Sequence, residues 1–126
     1  MDPIARQFLP PKLIEIAQVI GLDAALKLSA AWPGIRLTVP KDIRADHPIA
    51  LHLGIEAARK LASIYGGDTL VPPMCTRYHR ARLNAQILQA LETRSAADVA
   101  REYGIHQFSI YRLKAKADRQ RQGTLL

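Results

Sequence analysis

The chain of 126 residues suits one domain or two small ones, and its 48% hydrophobic content is enough for a buried core. Its single cysteine, Cys75, excludes an internal disulfide, and no apolar run approaches the roughly 20 residues that span a membrane. The N-terminal stretch MDPIARQFLPPK lacks the charged start and long apolar run of a secretory signal. We therefore expect a cytoplasmic protein.

The net charge of +7 is concentrated in one half of the chain. Residues 1–73 carry eight Lys and Arg against seven Asp and Glu, whereas residues 74–126 carry ten against four. An excess of positive charge in one segment is typical of proteins that neutralise nucleic-acid phosphates, although a basic face can also be merely solvated.

The first predicted helix follows Pro10-Pro11, because proline suits the first turn of a helix, and it ends at Gly21. Helical spacing places four apolar side chains on one face of it: Leu13, Ile16, Ala17 and Ile20. A second helix, with Asp23 as its N-cap, is predicted to run up to Trp32-Pro33-Gly34, which stops it.

A short strand and a third helix are predicted next. Apolar and polar residues alternate from Ile35 to Val39, which indicates a half-buried strand that Pro40 ends. Residues 41–46 form a polar loop. Asp46-His47-Pro48 is a helix-start signal, and we expect that helix to end at Gly54.

Residues 49–73 (the second repeat) align with residues 16–40 (the first repeat) at an offset of 33 without gaps, and ten of the 25 positions are identical. Each repeat has the pattern helix, glycine, helix, glycine turn and short strand. Two copies are too few for a solenoid, and a lone strand is not stable without a partner. We therefore expect the strands at residues 35–39 and 68–71 to pair with each other and with those of a second subunit.

The turn at Tyr65-Gly66-Gly67 is looser than the matching turn at Trp32-Pro33-Gly34, where proline restricts φ. Gly66 and Gly67 are therefore predicted to form a hinge before a separately moving module. Because Pro72-Pro73 disfavour helix at their approach, residues 74–78 are predicted to be a linker.

The basic half of the chain opens with a predicted helix from Arg80 to Leu91. Four leucine and isoleucine side chains share one side of it: Leu83, Ile87, Leu88 and Leu91. Ser95, followed three residues later by Asp98, is close to a capping box and predicts the start of another helix. Residues 118–126 are polar, and we expect them to be frayed.

Residues 96–116 predict two short helices separated by Gly104. The pattern matches DNA-binding helix-turn-helix units, in which a small residue lets the two helices cross closely. The matching residues are Val99, Ala100, Tyr103, Gly104, Ile105, Ile110 and Leu113. A plain three-helix bundle is the alternative for the same pattern.

The outer face of the second helix supplies candidate DNA contacts: Gln107, Phe108, Ser109, Tyr111, Arg112, Lys114 and Lys116. In helix-turn-helix units the N-terminal part of this helix enters the major groove. Gln107 and Arg112 can each form paired hydrogen bonds with a base edge, so we predict that they contact bases. Four cations are predicted to lie nearer phosphates: Arg82, Arg94, Lys114 and Lys116.

Three segments, LPPKLIEIAQVIGLDAALKLS, HPIALHLGIEAARKLASIYGG and SIYRLK, resemble the Mor/C-type transcription activators of Mu-like bacteriophages. The resemblance implies a mainly α fold with short β-strands, in which a dimerisation domain at residues 1–75 precedes a helix-turn-helix domain at residues 76–126. It also implies a homodimer that binds an imperfect inverted repeat of double-stranded DNA and activates transcription through host RNA polymerase. Its location would be the nucleoid of a bacterial host.

Two further contacts follow from the resemblance. The strand after Gly66-Gly67 is expected to lie close to DNA, which makes Thr69 a candidate contact. Val71 departs from the family pattern, where a polar or aromatic residue is more common. His106 stands where serine is more usual, at the start of the recognition helix, and adds a candidate contact to phosphate or base.

No arrangement of residues indicates catalysis or a cofactor. Cys75 and His79 are four residues apart and His47 and His52 five apart, but a metal site needs three or four converging ligands. We interpret these four as surface residues. We expect no metal, no cofactor and no enzymatic activity.

Two other classes of function remain open. A phage DNA-packaging or structural protein, such as a terminase small subunit, would use the same module but form a ring of many subunits. An enzyme accessory or DNA recombinase fragment is disfavoured, because no Ser or Tyr nucleophile lies in a basic catalytic cluster. An activator and a repressor share this chemistry, so activation rests on the resemblance alone.

Overall fold

The computed structural model describes residues 2–125, which form eight helices and one two-stranded antiparallel sheet. The helices are α1 (Pro3–Phe8), α2 (Pro11–Ile20), α3 (Leu22–Ala31), α4 (Pro48–Leu53), α5 (Ile55–Tyr65), α6 (Thr76–Ala90), α7 (Ala96–Tyr103) and α8 (Gln107–Leu125). The strands are β1 (Leu37–Thr38) and β2 (Thr69–Leu70). The predicted mainly helical fold with short strands is confirmed. The chain divides into an N-terminal unit, Met1–Tyr78, and a C-terminal unit, His79–Leu126.

Four helices of the N-terminal unit enclose an apolar core. α2 packs against α3 and α5, and α4 packs against the same two helices. Each of the four contributes fully buried aliphatic side chains: Leu13, Ile16, Leu28, Ile49 and Leu61. Ala17 and Ile20 are buried as well, so the predicted inner face of α2 is confirmed. Removing this apolar surface from water is the main term that stabilises the unit.

The two repeats adopt the same backbone structure at the glycine between their helices. Gly21 and Gly54 both have φ of 88°, with ψ of 159° and 152°. Each donates its N–H to the carbonyl four residues earlier at 2.8 Å, and the carbonyl of each accepts the first bond of the next helix at 3.0 Å. These backbone angles are essentially restricted to glycine, which explains why both repeats have one here.

The strands pair in a register that relates the two repeats by an approximate two-fold axis. Leu37 lies opposite Leu70, its own equivalent in the second repeat. The flanking backbone hydrogen bonds are reciprocal, both at 2.7 Å: Gly34 N to Pro72 O and Gly67 N to Val39 O. The helices obey the same two-fold relation. α2 and α3 are equivalent to α4 and α5, and the contact of α2 with α5 matches the contact of α4 with α3.

The predicted pairing of the two strands with each other is confirmed, but both strands are shorter than predicted. β1 and β2 have two residues each, against the expected residues 35–39 and 68–71. Pro40 and Pro72 have no N–H, so neither can donate to the ladder beyond the paired residues. Pairing with a second subunit stays a prediction.

Two helix starts differ from the sequence prediction, those of α1 and α3, and the start of α4 agrees with it. α1 is a helix that the sequence pattern did not indicate, and Asp2 caps it by accepting from Ala5 N at 2.7 Å. Asp23 is not the N-cap of α3, which begins one residue earlier; it lies in the first turn, where the helix dipole favours a negative charge. α4 is capped by His47, whose Nδ1 accepts from Ile49 N at 3.1 Å.

The predicted linker at residues 74–78 is wrong. Cys75 and Tyr78 are 5% and 1% exposed and belong to the core of the N-terminal unit, and α6 begins within this stretch. The Ser29 hydroxyl donates to the Pro73 carbonyl at 2.6 Å and lies 3.3 Å from Cys75 Sγ. Cys75 is therefore a packing residue and not the surface residue that the sequence indicates.

Tyr65 closes the core at the end of α5, and it is 8% exposed. Its hydroxyl donates to Glu15 Oε1 at 3.1 Å, and Lys12 Nζ lies 5.3 Å from the centroid of its ring. Burial raises the pKa of Tyr65 above its usual 10.0, and the hydrogen bond to Glu15 and the charge of Glu15 raise it further. These contacts join α2 to α5.

We expect Gly54→Ala to destabilise the chain by about 1–3 kcal/mol, because alanine is strained at these backbone angles even where no atom crowds its Cβ. Nothing lies within 4 Å of a Cβ built at Gly54. Gly54→Asn should be no better, since ψ of 152° lies outside the left-handed region that asparagine tolerates. Urea unfolding measures both changes, and wild-type stability in either variant would contradict this account.

Tyr65→Phe removes the hydrogen bond to Glu15, and we expect a loss of about 1 kcal/mol near neutral pH. Because folding raises the pKa of Tyr65, its neutral form stabilises the fold below pH 10.0, and this contribution disappears as pH rises through the raised pKa. The variant should therefore lose less stability at alkaline pH than the wild type. Urea unfolding on either side of that pH tests this, with Tyr111→Phe as an exposed control.

Candidate nucleic-acid interface

The C-terminal unit has a small apolar core to which α6, α7 and α8 all contribute. Ile87, Val99, Ala100 and Ile110 are buried, and half-buried residues surround them, including Tyr103, Ile105 and Leu113. The inner faces that the sequence predicts for α7 and α8 are confirmed. The prediction fails for Leu83, which is 42% exposed, because it lies one helical turn before Ile87 and outside this core.

The turn between α7 and α8 has the geometry that the sequence predicts. Ser95 caps α7, its hydroxyl accepting from Asp98 N at 3.1 Å. Gly104 ends the helix in the left-handed conformation, with φ of 66° and ψ of 34°. Ile105 N donates back to Ala100 O at 3.0 Å, the bond that defines a Schellman turn. α8 can therefore begin after only three connecting residues, 104–106.

Aromatic and cationic side chains lie together on the exposed side of α8. Phe108 is 70% exposed and Tyr111 is 55% exposed. The guanidinium of Arg112 lies 5.8 Å from the centroid of the Phe108 ring, one helical turn away. A cation over an aromatic face is attracted to it, and the contact limits where the arginine can point. The other predicted contacts in this region are also exposed: His106, Gln107, Ser109, Lys114 and Lys116.

α8 is longer than predicted and extends this surface. Residues 118–125 are helical, so the expected fraying is wrong for them, and residue 126 lies outside the described residues. The Arg and Gln residues of this segment are good helix formers, and this propensity could have predicted the helix although the segment is polar. At about 100° per residue, Phe108, Arg112 and Arg119 all point roughly opposite to buried Ile110. We call these three the outer row; Arg119 is the member that sequence reasoning missed.

Lys114 lies to one side of the outer row. It lines a cleft with Leu88 and Glu92, which belong to or follow α6, and with Arg121 of α8. Sequence reasoning placed it on the outer face with Arg112, and helical geometry instead turns it toward α6. A phosphate would therefore meet Lys114 at the edge of the surface.

The charged side chains of α8 are almost all positive. Its five cations are Arg112, Lys114, Lys116, Arg119 and Arg121, against Asp118 as its one acidic residue. Side chains of one sign on a single helix produce a positive potential that attracts polyanions and raises the rate of encounter with them. Nucleic-acid phosphates are the polyanion that such a surface suits best.

The remaining predicted contacts belong to segments other than α8. Arg94 precedes α7, where its guanidinium pairs with Glu102 and lies 3.5 Å from the Asp98 carbonyl. An exposed ion pair of this kind contributes little, so a phosphate can replace Glu102 at small cost. Arg82 is exposed on α6, and Thr69 is exposed on β2 in the N-terminal unit. The structure thus places the predicted contacts of residues 106–116 on α8 and the residue before it, and these three on other segments.

The two glycines predicted as a hinge lie in a closely packed turn. A Cβ at Gly66 would overlap the carbonyl oxygen of Ala62 and stand 3.0 Å from Lys41 Cα. Gly67 N is held by its bond to Val39 O at 2.7 Å. Glycine occupies position 66 because a larger residue would not fit there. A hinge at Gly66 and Gly67 stays a prediction.

The Mor transcription activator family matches residues 43–124, about two thirds of the chain. The chain belongs to this family. The matched region of this Mor family protein contains the second repeat and nearly all of α8, whereas the first repeat lies outside it. No curated protein and no solved structure matches the chain significantly.

Membership confirms the resemblance seen in the sequence and assigns the chain to transcription regulation, with DNA as the partner that such a role implies. The Mor family is a regulatory family and not a family of enzymes. Within residues 2–125, no helix is long and apolar enough to cross a membrane. The same part of the chain has no group of three His, Cys, Asp or Glu placed to hold a metal ion.

We expect Gly104→Ala to destabilise the C-terminal unit by about 1–2 kcal/mol, because the left-handed conformation is strained for residues with a Cβ. Gly104→Asn should recover much of this loss, since asparagine tolerates φ of 66° with ψ of 34°. Urea unfolding followed by circular dichroism measures both. Identical losses for the two variants would contradict the turn described above, and Gly54, where asparagine should not help, is the matched comparison.

Proposed function

We propose that this protein is a sequence-specific DNA-binding activator of phage or prophage genes. In this proposal α7 and α8 form a helix-turn-helix, residues 76–126 bind DNA, and residues 1–75 join two chains. The observation that carries it is the outer row of α8, an exposed surface of aromatic and cationic side chains, in a chain that belongs to an activator family.

The N-terminal part of α8 enters the major groove. Gln107 can form paired hydrogen bonds with an adenine edge, and Arg112 with the O6 and N7 acceptors of guanine. Phe108, next to Arg112, can contact the methyl group of a thymine. The cation–π contact supports this role for Arg112, because it holds the guanidinium near one position before DNA arrives.

Phosphates on both sides of the groove position the helix. Arg119 of the outer row and exposed residues around that row are suited to them: His106, Ser109, Tyr111, Lys114 and Lys116. Arg94 and Arg82 supply further positive charge from the turn before α7 and from α6. Such contacts fix the register of the protein on the duplex and make its affinity fall steeply with salt.

Two chains bind one site as a homodimer. A single recognition helix buries too little surface to specify a site by itself, and a second copy doubles the number of bases contacted. An imperfect inverted repeat presents two half-sites in successive major grooves. Thr69 lies near the DNA between them, and the turn at Gly66-Gly67 sets how far apart the two α8 helices stand. Activation proceeds through host RNA polymerase.

Selection of bound duplexes from a random pool tests the proposal. We expect an enriched inverted repeat whose half-sites are separated by about one helical turn of 10–10.5 base pairs or a multiple of it. Light scattering of the complex should find two chains on each duplex, whereas a ring of many chains would indicate a packaging protein. Equal affinity for all duplexes would end the proposal.

Arg112→Ala should weaken binding to the selected site by about 1–3 kcal/mol and relax the preference at one base pair. Arg101→Ala, at an exposed arginine of α7 outside the proposed surface, is the matched control. Lys116→Ala should lower affinity for every duplex alike and reduce the slope of log affinity against log salt by about 0.9. Fluorescence anisotropy at several salt concentrations measures all three. Unchanged base preference in Arg112→Ala would show that α8 docks differently.

A further inference from the structure

The first and second repeats form two halves of one scaffold, yet the family match begins at residue 43 and contains only the second. We propose that the first repeat takes, inside one chain, the place of a second subunit. The core of the N-terminal unit is then complete within one chain, and the chain free of DNA is a monomer whose residues 1–75 join a second chain only when both are bound to DNA. The homodimer of the proposed function forms on the DNA, and that last step alone rests on the proposed function.

The second repeat cannot cover its own apolar surface. Ile49, Leu53, Ala58 and Leu61 are each at most 9% exposed, and α4 and α5 obtain this cover by packing on α3 and α2 of the first repeat. One helix pair with a two-residue strand is too small to bury a core alone. The second repeat therefore requires a partner of complementary shape, and the first repeat supplies one.

The hydrogen bond between Tyr65 and Glu15 joins the second repeat to the part of α2 that immediately precedes the first repeat. It therefore forms only when a first repeat packs against a second one. At an offset of 33, the equivalent of Tyr65 is Trp32 and the equivalent of Glu15 is Pro48. Two second repeats would bring Tyr65 against Pro48, which offers no carboxylate. The hydroxyl of a buried tyrosine would then lose its partner, so the structure favours the mixed pair.

Two more contacts show the same preference. Val39 N donates across the strand pair at 2.9 Å, but its equivalent in the second repeat is Pro72, which has no N–H. The Ser29 hydroxyl donates to the Pro73 carbonyl, but the equivalent of Ser29 is Ala62, which has no donor. A pair of second repeats would lack both bonds on both sides. The two copies have thus become complementary to each other rather than to themselves.

The segment that connects the repeats keeps this pairing within one chain. Ile43, in the middle of the connection, is 7% exposed and belongs to the core of the N-terminal unit. Lys41 packs closely against the turn at Gly66 and Gly67. A short connection that is itself part of the packing gives the first repeat a high effective concentration beside its own second repeat. Exchange of repeats between chains is correspondingly disfavoured.

A disulfide across the strands tests the proposal. Thr38 and Thr69 are exposed and lie directly opposite each other, so a cysteine pair there can be joined. Thr38→Cys/Thr69→Cys is made in a Cys75→Ser background, oxidised without DNA at several protein concentrations, and run on a non-reducing gel. We expect a band at the 14.0 kDa mass of a single chain at every concentration, with both thiols lost on oxidation, because the disulfide forms within one chain.

The single variants Thr38→Cys and Thr69→Cys are the matched controls, and at low protein concentration neither should cross-link. A cross-link between chains in the double variant would overturn the proposal, because the repeats would then be exchanged. Pairing of identical repeats across a dimer would instead place Leu70 opposite Leu70 and Thr69 opposite Val71, so the single variants do not report it. A dimer of that kind is detected by its mass.

Light scattering on the unsubstituted chain gives a second measurement that needs no cysteine. A free species with the mass of one chain supports the proposal, and a free dimer overturns it. Both measurements are made without DNA. Failure to find a preferred DNA site would therefore remove the proposed function and leave the closed N-terminal unit standing.

Discussion

The pairing of Leu37 with Leu70 is the contact on which the N-terminal unit depends. Each strand has only two residues and cannot form a sheet alone, but their register places α2 against α5 and α3 against α4. The apolar faces of four helices are buried as a result. Gly21 and Gly54 make this possible, because each allows two helices to meet at one residue without a loop between them. A short strand pair and a repeated glycine turn thus determine the packing of the whole unit.

In the C-terminal unit, the side chains that are buried on one side of α8 determine which side chains are exposed to solvent on the opposite side. Ile110 packs against Ile87 and Val99, and this orientation turns Phe108 and Arg112 into water. Charged side chains remain at the surface because their desolvation is costly. Since α8 carries little acidic charge, its positive potential is not cancelled locally. The core that stabilises the unit therefore also selects the side chains that a nucleic acid would meet.

The two units differ in symmetry, and the difference has a functional meaning. The N-terminal unit contains two copies of one structural element, whereas the helix pair α7 and α8 occurs once in the chain. A scaffold with an internal two-fold relation does not by itself provide two DNA-binding surfaces. In the proposed function a second chain supplies the other surface, and by the further inference the half-sites on the DNA bring the two chains together. Cooperativity would then depend on the DNA sequence as well as on protein concentration.

The sequence by itself determined the features that depend on short spacings: the two repeats, the buried face of α2, the inner faces of α7 and α8 and the turn at Gly104. These follow from helical periodicity and from the φ angles that only glycine adopts easily, which are local properties. Only the tertiary structure decided that Cys75 and Tyr78 are buried, because their cover comes from residues far away in the chain, such as Ser29. It also decided that α8 continues to Arg119 and beyond, since polarity alone does not distinguish a frayed end from an exposed helix.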